Sequence, residues 1–394
     1  AYAAAVGERE LGVLPDRVVV EASGSIIKNV KSVVVPNTGH MKGIEVAAAA
    51  GIVAGNPDKE LEVIAQVTPE QVKEIQAFLD TAQIEVKHVD NGLTFDIIVT
   101  MYKGDSYSKV RIANYHTNVV HIEKDGEIRK EIPVEGESEE GLTDRSLLNM
   151  ADIWDFANTV DVEDIKPVLQ VQEDYNWAIA EEGMKNQYGA NVGKVLLESV
   201  GNDVAPRARA MAAAGSAARM DGCELPVVIN SGSGNQGMTA SIPVLVYAKE
   251  LKVSEEKKFR ALALSNLTAI HQKTPIGRLS AFCGAVSAGA GAGAGIAYLC
   301  GADFDTVSHT VSNALAIVSG MVCDGAKPSC AGKIATAVGA GILGYQMCIR
   351  GQRFNGGDGI VGDTVDQTIA NVGRVAKEGM KGTNETILKV MVGE

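Results

Sequence analysis

Residues 281–302 read AFCGAVSAGAGAGAGIAYLCGA, an uncharged run in which alanine alternates with glycine. The run is long enough to span a bilayer. Ala and Gly supply little transfer energy, however, and no aromatic belt flanks it. It reads better as a helix buried among other helices, which can approach it closely because it carries so little side chain. Lys333–Met347, KIATAVGAGILGYQM, reads the same way, with its lysine at one end. Composition agrees: with 43 glycines and only 5% aromatic residues, packing must come from close backbone approach.

Working outward, nearly every segment from Asp144 to the C-terminus is helical or a Gly-rich loop. One example is the Ser254-capped EEKKFRALALSNLTAI, expected to stop before Pro275. The first half is different. Strand signals rich in β-branched residues lie at Arg17–Ser23, Lys31–Pro36, Leu61–Val67, Ile84–Val89, Thr94–Tyr102, Ser108–Asn114 and Val119–Ile132, the last turning at Asp125-Gly126. Helical patterns interrupt them at Lys42–Ala54 and Pro69–Asp80, with Thr68 placed to cap the second. The expected fold class is α+β, a smaller mixed strand and helix domain followed by a mostly α-helical domain rich in Ala/Gly helices. Residues 16–133 form the α+β domain, the acidic stretch Pro133–Thr143 a linker, and residues 144–394 the helical domain. Residues 1–15 are expected to be a helix packing on the helical domain.

The chain has 394 residues, 46% hydrophobic and 22% charged, ample for a buried core and unlike a disordered chain. Thirty-six Lys+Arg against forty-nine Asp+Glu leave a net charge of −13, the wrong sign for nucleic acid. Six cysteines without a secretory leader point to a reducing, cytoplasmic setting. The opening AYAAAVGERELG reads as the interior of a helix, with sequence expected before it. Neither membrane nor nucleic-acid partners are expected. A homodimer is the expected assembly.

Two constellations could carry chemistry. In INSGSGNQGMTASIPVL (Ile229–Leu245) an apolar run leads into Asn230, Ser231, Gly232, Ser233, Gly234, Asn235, Gln236 and Gly237, and a helix follows. Glycines with hydroxyls, amides and helix-start N–H groups suit an anion or carboxylate. The loop is neither a Walker loop nor a dinucleotide fingerprint, and a plain structural connector is the bland alternative. The second constellation is Cys283, Cys323 and Cys330, each beside turn-forming residues, in SAFCGAV, MVCDGAKPSC and CAGK. Such thiols suit soft metals or iron–sulfur clusters, though buried structural thiol is the alternative and the expectation for Cys223, Cys300 and Cys348. His271 and Lys273 precede Cys283, Arg219 could pair with a substrate carboxylate, and His40 and the triplet His116, Thr117, Asn118 complete the polar candidates.

Taken together, RMDGCELPVVINSGSGNQG with SIPVLVYAKE, then HQKTPIGRLSAFCGAVSAGAGAG, then MVCDGAKPSCAGK resemble the L-cysteine desulfidase family, which is related to the α-chain of bacterial iron–sulfur L-serine dehydratases. The resemblance covers most of the chain and is densest from Arg219 to Lys333. It implies a [4Fe–4S] cluster on Cys283, Cys323 and Cys330 and a lyase that converts L-cysteine to pyruvate, ammonia and sulfide. L-serine dehydration is the alternative, and a non-catalytic amino-acid-binding relative the second. A small amino acid would be held by Asn230, Ser231, Ser233, Asn235 and Gln236, supported by Thr239 or Arg219, with Lys273 or His271 carrying the proton. Ser-Gly-Asn-Gln-Gly also resembles the Asn loop of pyridoxal-phosphate serine dehydratases, but the helical context is unlike theirs. Two departures stand out: the Gly-Cys-Thr-Glu-Pro segment near the family's N-terminus is absent, and the chain ends KVMVGE without the C-terminal cysteine of some serine dehydratases. The fourth iron ligand is not assigned.

Overall fold

The structure, a computed structural model, describes residues 1–136, 143–277 and 280–393. Most of the proposed acidic linker therefore lies outside the described residues. The chain divides into two compact units. The first comprises Ala1–Leu142, Asp324–Ala326 and Glu385–Glu394, the second Thr143–Cys323 and Lys327–Asn384. The fold is α+β, as the residue pattern predicts.

The first unit runs α1 (Tyr2–Leu11), β1 (Arg17–Ser23), α2 (Gly24–Val30), α3 (Ile44–Ala54), α4 (Pro69–Thr81), β2 (Gln83–Val89), β3 (Asp96–Lys103), β4 (Ser106–Ala113), β5 (Val119–Lys124) and β6 (Glu127–Glu131). Among the described residues its six strands are ordered β2-β1-β3-β4-β5-β6, with only β1 and β2 parallel. In β4, Ser108, Val110 and Ile112 are buried while Lys109 and Arg111 are partly exposed, the period-2 pattern of a sheet covered on one face. Val20, Val99, Met101 and Val110 share that core with Ala3, Ala4 and Leu11 of α1 and with Ala48, Ala49 and Ile52 of α3. The Ser108 hydroxyl donates to the Gly7 carbonyl at 2.7 Å, tying α1 to β4. Residues 1–15, expected on the helical domain, are corrected here: α1 is small-residue on its buried face and packs on the sheet.

Two predicted strands are also corrected. Lys31–Pro36 makes a single bridge, Val34 to Lys42, because Pro36 and the left-handed Asn37, Gly39 and His40 turn the chain before a ladder can grow. Leu61–Val67 gives way to a 3₁₀ turn at Pro57–Glu62, started by Asn56, whose side chain accepts from the Asp58 N–H at 3.0 Å. The predicted helix after Thr68 forms with a full capping box, Thr68 and Gln71 each satisfying the other's backbone N–H. Gly325, between two of the cysteines, has φ 93° and belongs to this unit; a Cβ there would stand 1.9 Å from the Lys28 carbonyl oxygen, so only glycine fits.

The second unit is built from α5 (Met150–Thr159), α6 (Val162–Lys185), α7 (Val192–Val200), α8 (Val204–Met220), α9 (Gly234–Leu251), α10 (Glu255–Ile276), α11 (Gly284–Leu299), α12 (Phe304–Val318), α13 (Cys330–Cys348) and α14 (Val365–Arg374); α15 (Lys381–Val392) follows. The alternating run is α11, and it is central. Gly289 and Gly293 back onto Ala337 and Gly341 of α13, while Gly291 and Gly295 back onto Ser265 and Ala261 of α10. Helix α10 does not stop before Pro275 but reaches Ile276, because a proline in the last turn forfeits one bond and Gly277 N–H still closes on the Lys273 carbonyl. Among the described residues, no helix is long and apolar enough to cross a membrane.

Candidate functional site

The Gly-rich loop is a tight turn pinned from beneath. Asn230 and Ser233 pair through both backbone N–H groups, and Ser231 (φ 50°) and Gly232 (φ 80°) take the two left-handed positions of a type I′ turn. Helix α6 holds the strand-like lead-in, with the Asn176 side chain bonding the Val228 N–H at 2.8 Å and the Ser241 hydroxyl at 3.0 Å. Asn230 donates to Asn266 Oδ1 of α10 at 2.9 Å, and Asn266 exchanges two bonds with Gln172. Ser231 donates to Asn230 Oδ1, Ser233 caps α9 by accepting from Gln236 N–H, and Thr239 donates to the Asn235 carbonyl at 2.6 Å. The side chains of Asn230, Ser231, Ser233 and Thr239 are thus engaged within the fold. Asn235 Oδ1 and Gln236 Oε1, by contrast, are buried with no hydrogen-bond partner.

The three cysteines come from three segments. Cys283 caps α11 and Cys330 opens α13. Cys323 follows a bridge between Phe282 and Val322, in which Cys283 N–H bonds the Met321 carbonyl at 3.1 Å and Cys323 N–H bonds the Ala281 carbonyl at 2.6 Å. Lys333, on the first turn of α13, donates to the Val322 carbonyl at 2.8 Å. The thiols feel one another. Burial pushes the Cys283 thiol up to about 11, the neighbouring Cys323 and Cys330 add to the rise, and the Ala285 N–H and Lys333 oppose it. Burial also raises Cys330, against the Lys327 N–H, with Cys323 adding and Lys333 subtracting.

Arg219, in the last turn of α8, reaches this place from the other side. A Cβ at Gly234 would stand 2.7 Å from Arg219 Nε, so the guanidinium lies against the start of α9. Burial lowers its pKa, and the Cys330 thiolate is the one charge opposing that fall. Among the described residues the guanidinium has neither an ion-pair nor a hydrogen-bond partner, whereas Arg207 on the same helix is paired with Glu250. Gln236 points toward the thiols as well: a Cβ at Gly284 would stand 2.4 Å from its Cδ, which puts the amide against the residue that follows Cys283. Loop, guanidinium and thiols therefore share one site in the second unit.

His271 and Lys273 cannot serve it together, since two residues apart on an α-helix lie about 200° apart. His271 Nε2 meets Asp366 Oδ1 of α14 at 2.7 Å, and that oxygen also accepts the Met150 N–H. Lys273 is buried, seven residues past the Asn266 that grips the loop, and so shares its face. Of the remaining thiols, Cys223 lies beside Tyr188 and Cys348 beside Asn313, but Cys300 is exposed where α11 ends, contrary to expectation. His116 stacks at a tilt on Phe95, and Asn118 ties the β4–β5 connection by donating to the Ala113 carbonyl. Reading the sequence passes over Lys333 and Gln272; the first is three residues past Cys330, and the second lies one turn past Thr268 on the buried face of α10.

The profile of the serine dehydratase alpha chain family matches residues 58–389. The chain belongs to this family. It is also similar to proteins designated UPF0597: 59% identical to one from Desulfitobacterium hafniense, 52% to one from Lachnoclostridium phytofermentans and 47% to one from Treponema denticola, over 100% of this chain and 92%, 94% and 92% of those proteins. Serine dehydratase alpha chains are generally iron–sulfur linked, and the donor set here fits such a group in its chemistry. Cys323 adds to the rise of both Cys283 and Cys330 and Lys333 opposes both, so the three thiols and this lysine lie within electrostatic reach of one another, and thiols are the donors such a group takes. Among the described residues, no group of three or more His, Cys, Asp or Glu side chains is arranged to hold a metal ion.

Proposed function

We propose that this serine dehydratase-like chain is a lyase that eliminates the β-substituent of L-cysteine to give pyruvate, ammonia and sulfide, with L-serine as the alternative substrate. The observation that carries the reading is the unpartnered Arg219 guanidinium set against the Gly-rich loop and within electrostatic reach of Cys330. A desolvated arginine without an acceptor is a ready anchor for a carboxylate, which it can meet through two parallel N–H bonds.

Cys283, Cys323 and Cys330 would hold a [4Fe–4S] cluster, which supplies a thiophilic Lewis acid for the leaving group on Cβ. Arg219 fixes the substrate carboxylate. Asn235 and Gln236 line the site with acceptors that the fold leaves open. Lys273, on the loop-facing side of α10, takes the Cα proton, while His271 is held by Asp366 on the opposite face. Loss of the proton from Cα and of sulfide from Cβ leaves aminoacrylate, which tautomerises to an imine that water hydrolyses to pyruvate and ammonia. Cytoplasmic residence and a homodimeric assembly belong to the same proposal.

The test is iron and acid-labile sulfide content of protein purified without oxygen, with pyruvate and sulfide release assayed from L-cysteine and L-serine. About four irons per chain and product from L-cysteine support the reading, and faster turnover of L-serine moves the substrate assignment. A chain that takes up no iron on anaerobic reconstitution, yet binds amino acid, is the non-catalytic relative.

A further inference from the structure

Among the described residues, eight buried side-chain nitrogen or oxygen atoms have no hydrogen-bond partner, and five of them fall on one level of the helical unit. Ala240 of α9, Ala269 of α10 and Ala288 of α11 pack together, fixing the relative register of the three helices. One turn from that contact, toward the starts of α9 and α11 and the end of α10, come Gln236, Gly284 and Gln272. Ser287 lies one turn before Gly291, whose backbone rests on Ser265 and Ala269 of α10, and Thr268 lies one turn before Gln272. Gln236 Oε1, Thr268 Oγ1, both amide atoms of Gln272 and Ser287 Oγ are the five atoms without partners. Gln272 is 2% exposed and Gln236 7%, so water does not satisfy them from outside. Native folds seldom bury two amides this way unless something else completes them.

We propose that Gln236, Thr268, Gln272 and Ser287 form the recess that takes the α-ammonium group of an amino-acid ligand; the nature of that ligand rests on the lyase reading above. Four of the five atoms are oxygens, and an ammonium group brings three donors and no acceptor. The recess adjoins Cys283 through the contact of Gln236 with Gly284. Arg219 lies against Gly234 in the first turn of the same helix, and in this proposal it takes the carboxylate while the amides take the ammonium. Neutral acceptors suit this task. They hold the charged amine without offering it a carboxylate to protonate. The polar loop residues Ser231 and Ser233 are then scaffold, and the substrate sits deeper, between the helix ends.

The experiment is calorimetric titration of the purified, iron-loaded protein with L-alanine, which carries both groups and no leaving group, and with 3-hydroxypropionate, which lacks the amine. These are compared across wild type, Gln272→Met and Thr268→Val, with a melting curve for each. Expected is a roughly 10- to 100-fold loss of L-alanine affinity in Gln272→Met and a smaller loss in Thr268→Val. Binding of 3-hydroxypropionate should be unchanged, and neither melting temperature should fall, because an unsatisfied polar group has been replaced by an apolar one. Equal losses for both ligands, no loss for either, or a lower melting temperature would return the four residues to a structural role. Should Gln272→Met not fold, that failure itself counts against the proposal, and Thr268→Val decides between recess and packing. If pyruvate is released but Gln272→Met binds L-alanine normally, the recess is wrong and the lyase stands; amine-selective binding without pyruvate gives the reverse.

Discussion

In the sheet unit, Asp96 is buried and fully met: Arg111 donates to both its oxygens at 2.9 Å, and Asn91 donates to one of them at 2.5 Å. In the helical unit Arg219 is partly buried, and among the described residues no carboxylate comes to it. His121 of the sheet sits between Glu123 and Glu131, while the amide of Gln272 in the bundle meets nothing. Asp96 and His121 are thus completed where they hold the fold, while Arg219, Gln236 and Gln272 are left open beside the loop and the thiols. Burying an incomplete polar group costs stability, so the opening is where a ligand is expected to repay it.

Cys283→Ala is expected to have the largest effect, abolishing pyruvate release and lowering bound iron, measured by metal analysis of anaerobically prepared protein. Iron retained at the wild-type level would remove the thiols from the argument. Arg219→Met should lower kcat/KM for L-cysteine by about 10³-fold while leaving the melting temperature unchanged or higher, the mark of a group the fold does not itself use. Asp96→Ala should do the opposite, costing about 2–3 kcal/mol of stability, at the low end for a buried pair because Arg111 is partly solvated. Denaturant titration reads that loss.

A smaller effect follows from the thiol. Because burial raises Cys283 to about 11 in the metal-free protein, above the ordinary thiol value of 9.0, the protonated form is the one the fold favours. That contribution is fully present below about pH 9 and is lost as pH rises toward 11. Metal-free Cys283→Ala should therefore show a shallower fall in stability across that window than the wild type. The smallest change is expected from Thr239→Val, whose hydroxyl only bonds back to Asn235 within α9: kcat/KM should stay within about threefold. A hundredfold loss there would place the substrate over the outer loop after all.

Much of the scaffold was legible in local pattern. Arg17–Ser23 is a strand from end to end, and Asp125-Gly126 turns the hairpin with φ 51° and 84°. Lys31–Pro36 and Leu61–Val67 carry the same β-branched or alternating signature, and there the left-handed turn after Pro36 and the Asn56 cap prevail. Two polar residues two apart, His271 and Lys273, look equivalent in sequence, and helical rotation alone sends one to Asp366.

Local pattern was enough for an uncharged Ala/Gly helix buried among helices, for a mixed strand and helix domain ahead of it, and for three cysteines beside turn-forming residues. These follow from periodicity and composition, which act over a few residues at a time. Which polar groups are left incomplete emerges only when the helices pack. Whether Arg219, Gln236 or Gln272 finds a partner depends on what α8, α9, α10 and α11 bring together from distant parts of the chain, and hydrogen-bond completion is a property of that meeting rather than of any single segment.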